Sequence, residues 1–200
     1  MKDLNCDALL FDLDGTLIDS MPLHNQAWIE ILADQGQVMT NDILTEYMGI
    51  PNFKTVQIFN ERFGWNLDPQ LITDLKEVRF LEKLKHVKII EVTVQVAREN
   101  FGKKPMAIVT GSVKQPAMEL IKMLDIEKYF SVVVTAEDTL QHKPDPDPFL
   151  LAAQKLNVDP KKCLVFEDGE IGIQAAYAAG MKVIKVVRDE AEPYFKLVRL

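Results

Sequence analysis

The stretch Phe11-Asp12-Leu13-Asp14-Gly15-Thr16-Leu17 places two aspartates one residue apart, straight after the apolar run Ala8-Leu9-Leu10. A buried carboxylate without a partner is costly, so a pair at the end of a buried strand calls for a cation, a set of donors or water beside it. Gly15 lets the chain turn there, so that both carboxylates can converge on one ligand. One of them could bind a hard cation and act as a nucleophile, while the other trades protons with a leaving oxygen and then with water. A capping or Asx turn would explain one aspartate well and two poorly.

Three further stretches carry groups of the same kind. Thr110-Gly111-Ser112 follows the run Met106-Ala107-Ile108-Val109. Its hydroxyls, its glycine and the N–H groups of a following helix would cradle a phosphate-sized anion, although Thr-Gly-Ser is also ordinary helix-entry chemistry. In residues 141–149, QHKPDPDPF, three prolines at alternate positions flank Lys143. The expectation is a stiff, extended segment that presents the ammonium to a carboxylate and a phosphoryl group together. Pro148 then suits the first turn of a helix. Glu167-Asp168-Gly169 follows Cys163-Leu164-Val165-Phe166. Adjacent carboxylates repel unless a cation or donors lie between them and their neighbours. With Asp12 and the backbone carbonyl of Asp14, Glu167 and Asp168 make an oxygen-rich set that suits Mg²⁺.

These groups need a scaffold, and the apolar runs supply one. Ser131-Val132-Val133-Val134 and the run over residues 182–187 complete a set of five. Continuous Val/Ile/Leu runs separated by helical patterns predict a parallel sheet, in which ligands bind beyond the carboxyl ends of the strands. Residues 19–88 read differently. Helical periodicity over 23–33, 42–48, 53–63 and 69–84, with turns at Gly36, Gly49-Ile50-Pro51 and Gly64, predicts a helical insertion. Residues 87–98, VKIIEVTVQVAR, are rich in β-branched side chains and are read mostly as helix.

Of the 200 residues, 48% are hydrophobic and 26% charged, which is the balance of a globular chain. The net charge of −7 argues against a nucleic-acid surface and leaves an anionic substrate dependent on local cations. Cys6 and Cys163 lie beside apolar runs and read as reduced, buried thiols, which points to the cytoplasm. Acids interrupt the N-terminus before a signal segment could form, and no apolar run approaches the ~20 residues of a membrane helix. Neither export nor a membrane partner is expected.

The ordered set DLDGTL, TGS, KPDPDPF and FEDGEIGIQAAYAAGM resembles the haloacid dehalogenase-like (HAD) superfamily over nearly the whole chain. The resemblance implies an α/β fold: a Rossmann-like parallel-sheet core of residues 1–18 and 88–200, with a helical cap, residues 19–87, inserted after the first strand. It implies Asp12 as the nucleophile, Asp14 as general acid and base, and Thr110 and Lys143 as phosphoryl-binding groups beside Gly111 and Ser112. Asp12, Asp14, Glu167 and Asp168 would hold Mg²⁺. Dehalogenase members lack an acid at the position of Asp14, having no alkoxide to protonate, so this pair points to a phosphate ester. Gly169 stands where the family often has Ser, and Glu170 adds negative charge near the site.

Substrate choice would rest with the cap. His24 matches a cap-hinge histidine of the β-phosphoglucomutase-like branch, and Lys76 aligns with a cap lysine there. The mutase carries an arginine for a second phosphate where this chain has Asn52, which offers no cationic fork, although Lys54 stands nearby. The segment GIPNFK, with Lys104-Pro105-Met106-Ala107, resembles the bacterial fructose-1-phosphate phosphatase-like members instead. The resulting expectation is a Mg²⁺-dependent phosphatase acting on a small sugar phosphate through an aspartyl phosphate. A β-phosphoglucomutase-like phosphomutase is the alternative, and a non-enzymatic phospho-acceptor the third reading.

Overall fold

The computed structural model describes residues 4–47, 50–189 and 195–200. The turn at Gly49, the end of the helix read to residue 48 and the first three residues of the N-terminal reading lie outside them. Two compact units emerge, one of Met1–Asp19 with Lys88–Leu200 and one of Ser20–Val87.

The first unit is built on a sheet of β1 (Ala8–Phe11), β2 (Met106–Val109), β3 (Val132–Val134), β4 (Cys163–Glu167), β5 (Lys182–Arg188) and β6 (Phe195–Arg199), in the order β3-β2-β1-β4-β5-β6. The first five strands run parallel, and β6 runs antiparallel to β5. Helices α1 (Met21–Asp34), α2 (Asn41–Thr45), α3 (Asn52–Phe63) and α4 (Pro69–Lys83) are inserted after β1. They precede α5 (Glu91–Asn100), α6 (Lys114–Met123), α7 (Asp147–Leu156) and α8 (Glu170–Ala178).

The central strands are apolar throughout because both sheet faces are covered. Ala8 and Leu10 of β1 pack in one cluster with Val109, Val165 and Val183, against Phe149, Ala152 and Ala153 of α7 and Ile173, Ala175 and Ala176 of α8. The alanines let both helices approach the strands closely. Phe11 points to the other face, stacked on Phe166 with ring centroids 4.6 Å apart and meeting Phe130 edge-on. The inserted unit has its own core. Phe59 sits among Trp28, Tyr47 and Trp65 at centroid distances of 4.9–5.8 Å, with Ile31, Leu32, Val56 and Ile72 around them.

Two expectations change here. Residues 141–146 form a turn that leads into α7 rather than an extended segment: the Asp145 N–H donates to the His142 carbonyl, and Pro146 adopts φ −74°, ψ −13°. Proline fixes its own φ near −65° but leaves ψ open, so a proline-rich segment can turn into a helix as readily as run straight. Strand β6 was not anticipated. It is a half-exposed edge strand in which Phe195 and Leu197 alternate with exposed Lys196 and Val198, a short and weak period-2 signal.

Candidate active site

Strand register assembles the site. Phe11 lies level with Phe166 on one side and Ile108 on the other, and the Asp12 N–H donates to the Phe166 carbonyl at 3.0 Å. The residue that follows Phe11 therefore stands beside the one that follows Phe166, which brings Asp12 next to Glu167. Both are buried, as their place inside the sheet requires.

The chain then folds into a tight loop, with the N–H groups of Thr16, Leu17 and Ile18 all directed at the Leu13 carbonyl. Gly15 adopts φ +87°, a backbone conformation that favours glycine, and Asp168 fills the space where its side chain would be. The Thr16 hydroxyl donates to Asp168 Oδ1 at 3.2 Å, and the Thr93 hydroxyl of α5 donates to the Thr16 carbonyl. Asp14 turns elsewhere, its Oδ2 accepting from the Ser112 hydroxyl at 2.8 Å.

Lys143 crosses this group. Its Nζ lies 2.8 Å from Asp12 Oδ1, 2.7 Å from Glu167 Oε2 and 3.0 Å from the Val109 carbonyl oxygen, 4.9 Å from the Phe149 ring centroid. The second Glu167 oxygen accepts from the Gly169 N–H at 3.1 Å. Burial opposes the charge on Lys143, but the Asp12 and Glu167 carboxylates outweigh it and hold the ammonium above the ordinary lysine range. Burial raises the Asp12 carboxyl, the negative charge of Glu167 raises it further, and Lys143 pulls it back. Glu167 is raised chiefly by burial as well. Asp168 is pushed up to about 6, first by burial and then by the charge of Asp12.

Asp12, Glu167 and Asp168 each offer a carboxylate oxygen within a common 4.8 Å. Three buried or part-buried acids face one ammonium, so full ionisation leaves the group two positive charges short. A hard divalent cation fits that deficit and that donor set.

The anion cradle read from Thr110-Gly111-Ser112 is narrower than expected. Thr110 is buried, its N–H bonded to the Val134 carbonyl and its hydroxyl accepting from the Ser112 N–H at 3.0 Å. Gly111 is exposed with open space where a Cβ would point. The first N–H of α6, at Lys114, is taken by Glu137 Oε1 at 2.9 Å. The loop rather than the helix end therefore faces the acids, through the contact between Ser112 and Asp14. Gly169 is the N-cap residue of α8 and has no side-chain cap, while Glu170 lies 3.8 Å from Lys185.

Within the inserted unit, His24 Nδ1 and Lys76 Nζ lie 2.8 Å apart, Lys76 is 1% exposed, and its ammonium also meets Glu77 Oε1 at 3.1 Å. The Asn52 amide donates to the same Glu77 oxygen. His24 stacks on Phe80 at 3.7 Å. Lys54 is exposed and takes no part in this cluster.

Three residues went unassigned in the sequence reading. Thr16 and Glu77 are neighbours of candidate residues, and only their contacts give them a role. Gly172 lay within the quoted FEDGEIG stretch, where a second glycine so close to the acids was the available signal.

Known proteins bear directly on this arrangement. The profile of haloacid dehalogenase-like hydrolases matches residues 9–186. Fructose-1-phosphate phosphatase YqaB of Escherichia coli strain K12 is 36% identical over 183 residues, covering 90% of this chain and 95% of the relative. A phosphorylated carbohydrates phosphatase of Thermotoga maritima is 32% identical over 183 residues, covering 89% of this chain and 83% of the relative. Among solved structures, that of a putative β-phosphoglucomutase from Thermotoga maritima matches with a TM-score of 0.74 and 28% identity, over 92% of this chain and 86% of that one. With the family profile spanning residues 9–186, the chain belongs to the haloacid dehalogenase-like hydrolase family, and within it to the phosphatases.

Proposed function

We propose that the protein is a Mg²⁺-dependent phosphatase that hydrolyses a small sugar phosphate through an aspartyl phosphate on Asp12. The observation that carries this reading is the division of the acid pair. Asp12 is held by Lys143, while Asp14 is held by Ser112. Two carboxylates one residue apart, given different partners, can take two different roles.

In the first step Asp12 attacks phosphorus, so an Asp12 O–P bond forms as the ester O–P bond breaks. Asp14 gives its proton to the departing alkoxide. In the second step Asp14 takes a proton from water, which attacks the aspartyl phosphate, breaks the Asp12 O–P bond and releases inorganic phosphate. Lys143 keeps Asp12 aimed and opposes charge on the phosphoryl oxygens, and Thr110, Gly111 and Ser112 line the same edge. Asp12, Glu167, Asp168 and the Asp14 carbonyl would hold Mg²⁺, which would supply the remaining positive charge.

The sugar-phosphate class is supported by the named relatives, fructose-1-phosphate phosphatase YqaB and the phosphorylated carbohydrates phosphatase. We assign substrate recognition to the cap residues His24, Asn52 and Lys76, and to Lys54, which is exposed and lies outside their hydrogen-bonded cluster. Asn52, bound to Glu77, gives this cluster no guanidinium for a second phosphate. Cys6 and Cys163 are free and buried, which suits the cytoplasm. Among the described residues no helix is long and apolar enough to cross a membrane.

The test is incubation with Mg²⁺ and a panel of hexose and pentose phosphates, following released phosphate and its migration between sugar positions. Net release from at least one sugar phosphate, abolished in Asp12→Asn, is expected. Isomerisation without release would replace this reading with the phosphomutase.

A further inference from the structure

We propose that Gly172 is a positioning residue: its missing side chain leaves the space that the Glu167 carboxylate occupies, and this seats the bridge from Glu167 through Lys143 to Asp12. For its effect on catalysis the inference rests on the proposed phosphatase reading. A Cβ placed on Gly172 would lie 2.0 Å from Glu167 Oε2, 2.1 Å from its Cδ and 2.7 Å from its Cγ, well inside the 3.0 Å that real Cβ atoms essentially never cross.

The three nearest atoms all belong to the Glu167 side chain. Glu167, before any apolar contact of α8 with the sheet, is therefore what meets that position first. Ala175 and Ala176, on the same helix, face the same apolar cluster and keep their Cβ atoms. The backbone gives no reason for a glycine here, since Gly172 is absent from the positive-φ glycines and alanine is the better helix former.

Glu167 has little freedom to move aside. It is 3% exposed, its backbone is paired with Lys185 of β5, one carboxylate oxygen accepts from Gly169 N–H, and the other accepts from Lys143. The oxygen nearest the imagined Cβ is Oε2, the one bound to Lys143. A methyl group at residue 172 would therefore pull apart the Glu167–Lys143 contact, and Lys143 would no longer hold Asp12 in the same place.

The test is a double-mutant cycle of Gly172→Ala and Glu167→Ala, read in two ways: the melting temperature of metal-free protein, and kcat for phosphate release from p-nitrophenyl phosphate with Mg²⁺. With Glu167 present, Gly172→Ala should lower the melting temperature and reduce kcat by about 10²-fold, the scale of a 1 Å misplacement. In the Glu167→Ala background the same change should leave kcat within about twofold and leave the melting temperature unchanged or raise it, since the colliding side chain is gone. Equal losses in both backgrounds would overturn the proposal and leave Gly172 a packing residue. Should Gly172→Ala fail to fold, folding of the double variant supports the proposal and its failure overturns it. The melting temperatures of metal-free protein decide the matter even where no variant releases phosphate, so the two readings fail separately.

Discussion

The ammonium of Lys143 lies 2.8 Å from Asp12 Oδ1. It is the positive group that makes a buried carboxylate tolerable at the end of β1, and it spans 131 residues of sequence to do so. Lys143→Met keeps the length and removes the charge, leaving Asp12 and Glu167 uncompensated. The expected outcome is a fall in kcat of about 10²–10³-fold and a loss of about 3–5 kcal/mol of stability. Phosphate-release kinetics and urea unfolding of the metal-free variant would check both.

The acid group should respond to a divalent cation by mass action. At a Mg²⁺ concentration about 100 times its Kd the folded protein gains about 2.7 kcal/mol, a rise in melting temperature of roughly 5–10 °C for a chain of this size. Asp168→Asn, which removes one of the three clustered carboxylates, should abolish most of that rise, and chelation should reverse it in the unaltered protein. A melting temperature indifferent to Mg²⁺ would count against the metal site.

Ser112 holds Asp14 through its hydroxyl. Ser112→Ala should therefore weaken proton exchange without removing it, lowering kcat by about tenfold. Asp14→Asn should cost more, about 10²–10⁴-fold. Steady-state kinetics on the best sugar phosphate would compare the two, and a Ser112→Ala effect as large as that of Asp14→Asn would assign Ser112 a direct role.

Cys163 is fully buried, and burial first and the neighbouring Cys6 second push its thiol up to about 11. The unfolded thiol ionises near 8.5, so between those values the native state holds the proton that the unfolded chain releases. Stability must then fall as pH rises through this window. From about pH 8 to about pH 10 the contribution is on the order of 1–2 kcal/mol, measured as the difference in urea-unfolding slope with pH between the unaltered protein and Cys163→Ala. Equal slopes would refute the shift.

Much of this was legible in sequence because the signals are local. Continuous apolar runs at residues 8–11, 106–109 and 163–166 announce strands covered on both faces, and the acids, hydroxyls and Lys143 follow them directly. The helical periods of α1, α3 and α4 are likewise readable within one window each. The turn at residues 141–146 was not, because proline restricts φ while ψ is settled by what the segment packs against. Edge strand β6 was not, because half its side chains face solvent.

Sequence alone determined the inventory: which residues could do chemistry, in what order, at the ends of which strands. The tertiary structure decided the partnerships. The register of β1 against β4 brings Asp12 beside Glu167, Ser112 bonds to Asp14, Thr16 reaches Asp168 across 152 residues, and the space above Gly172 receives Glu167. Local propensity is written in windows of a few residues. Register and side-chain contact are set only when distant segments bury their faces together, and a shift of one residue in the pairing of a strand would send its side chains to the other face.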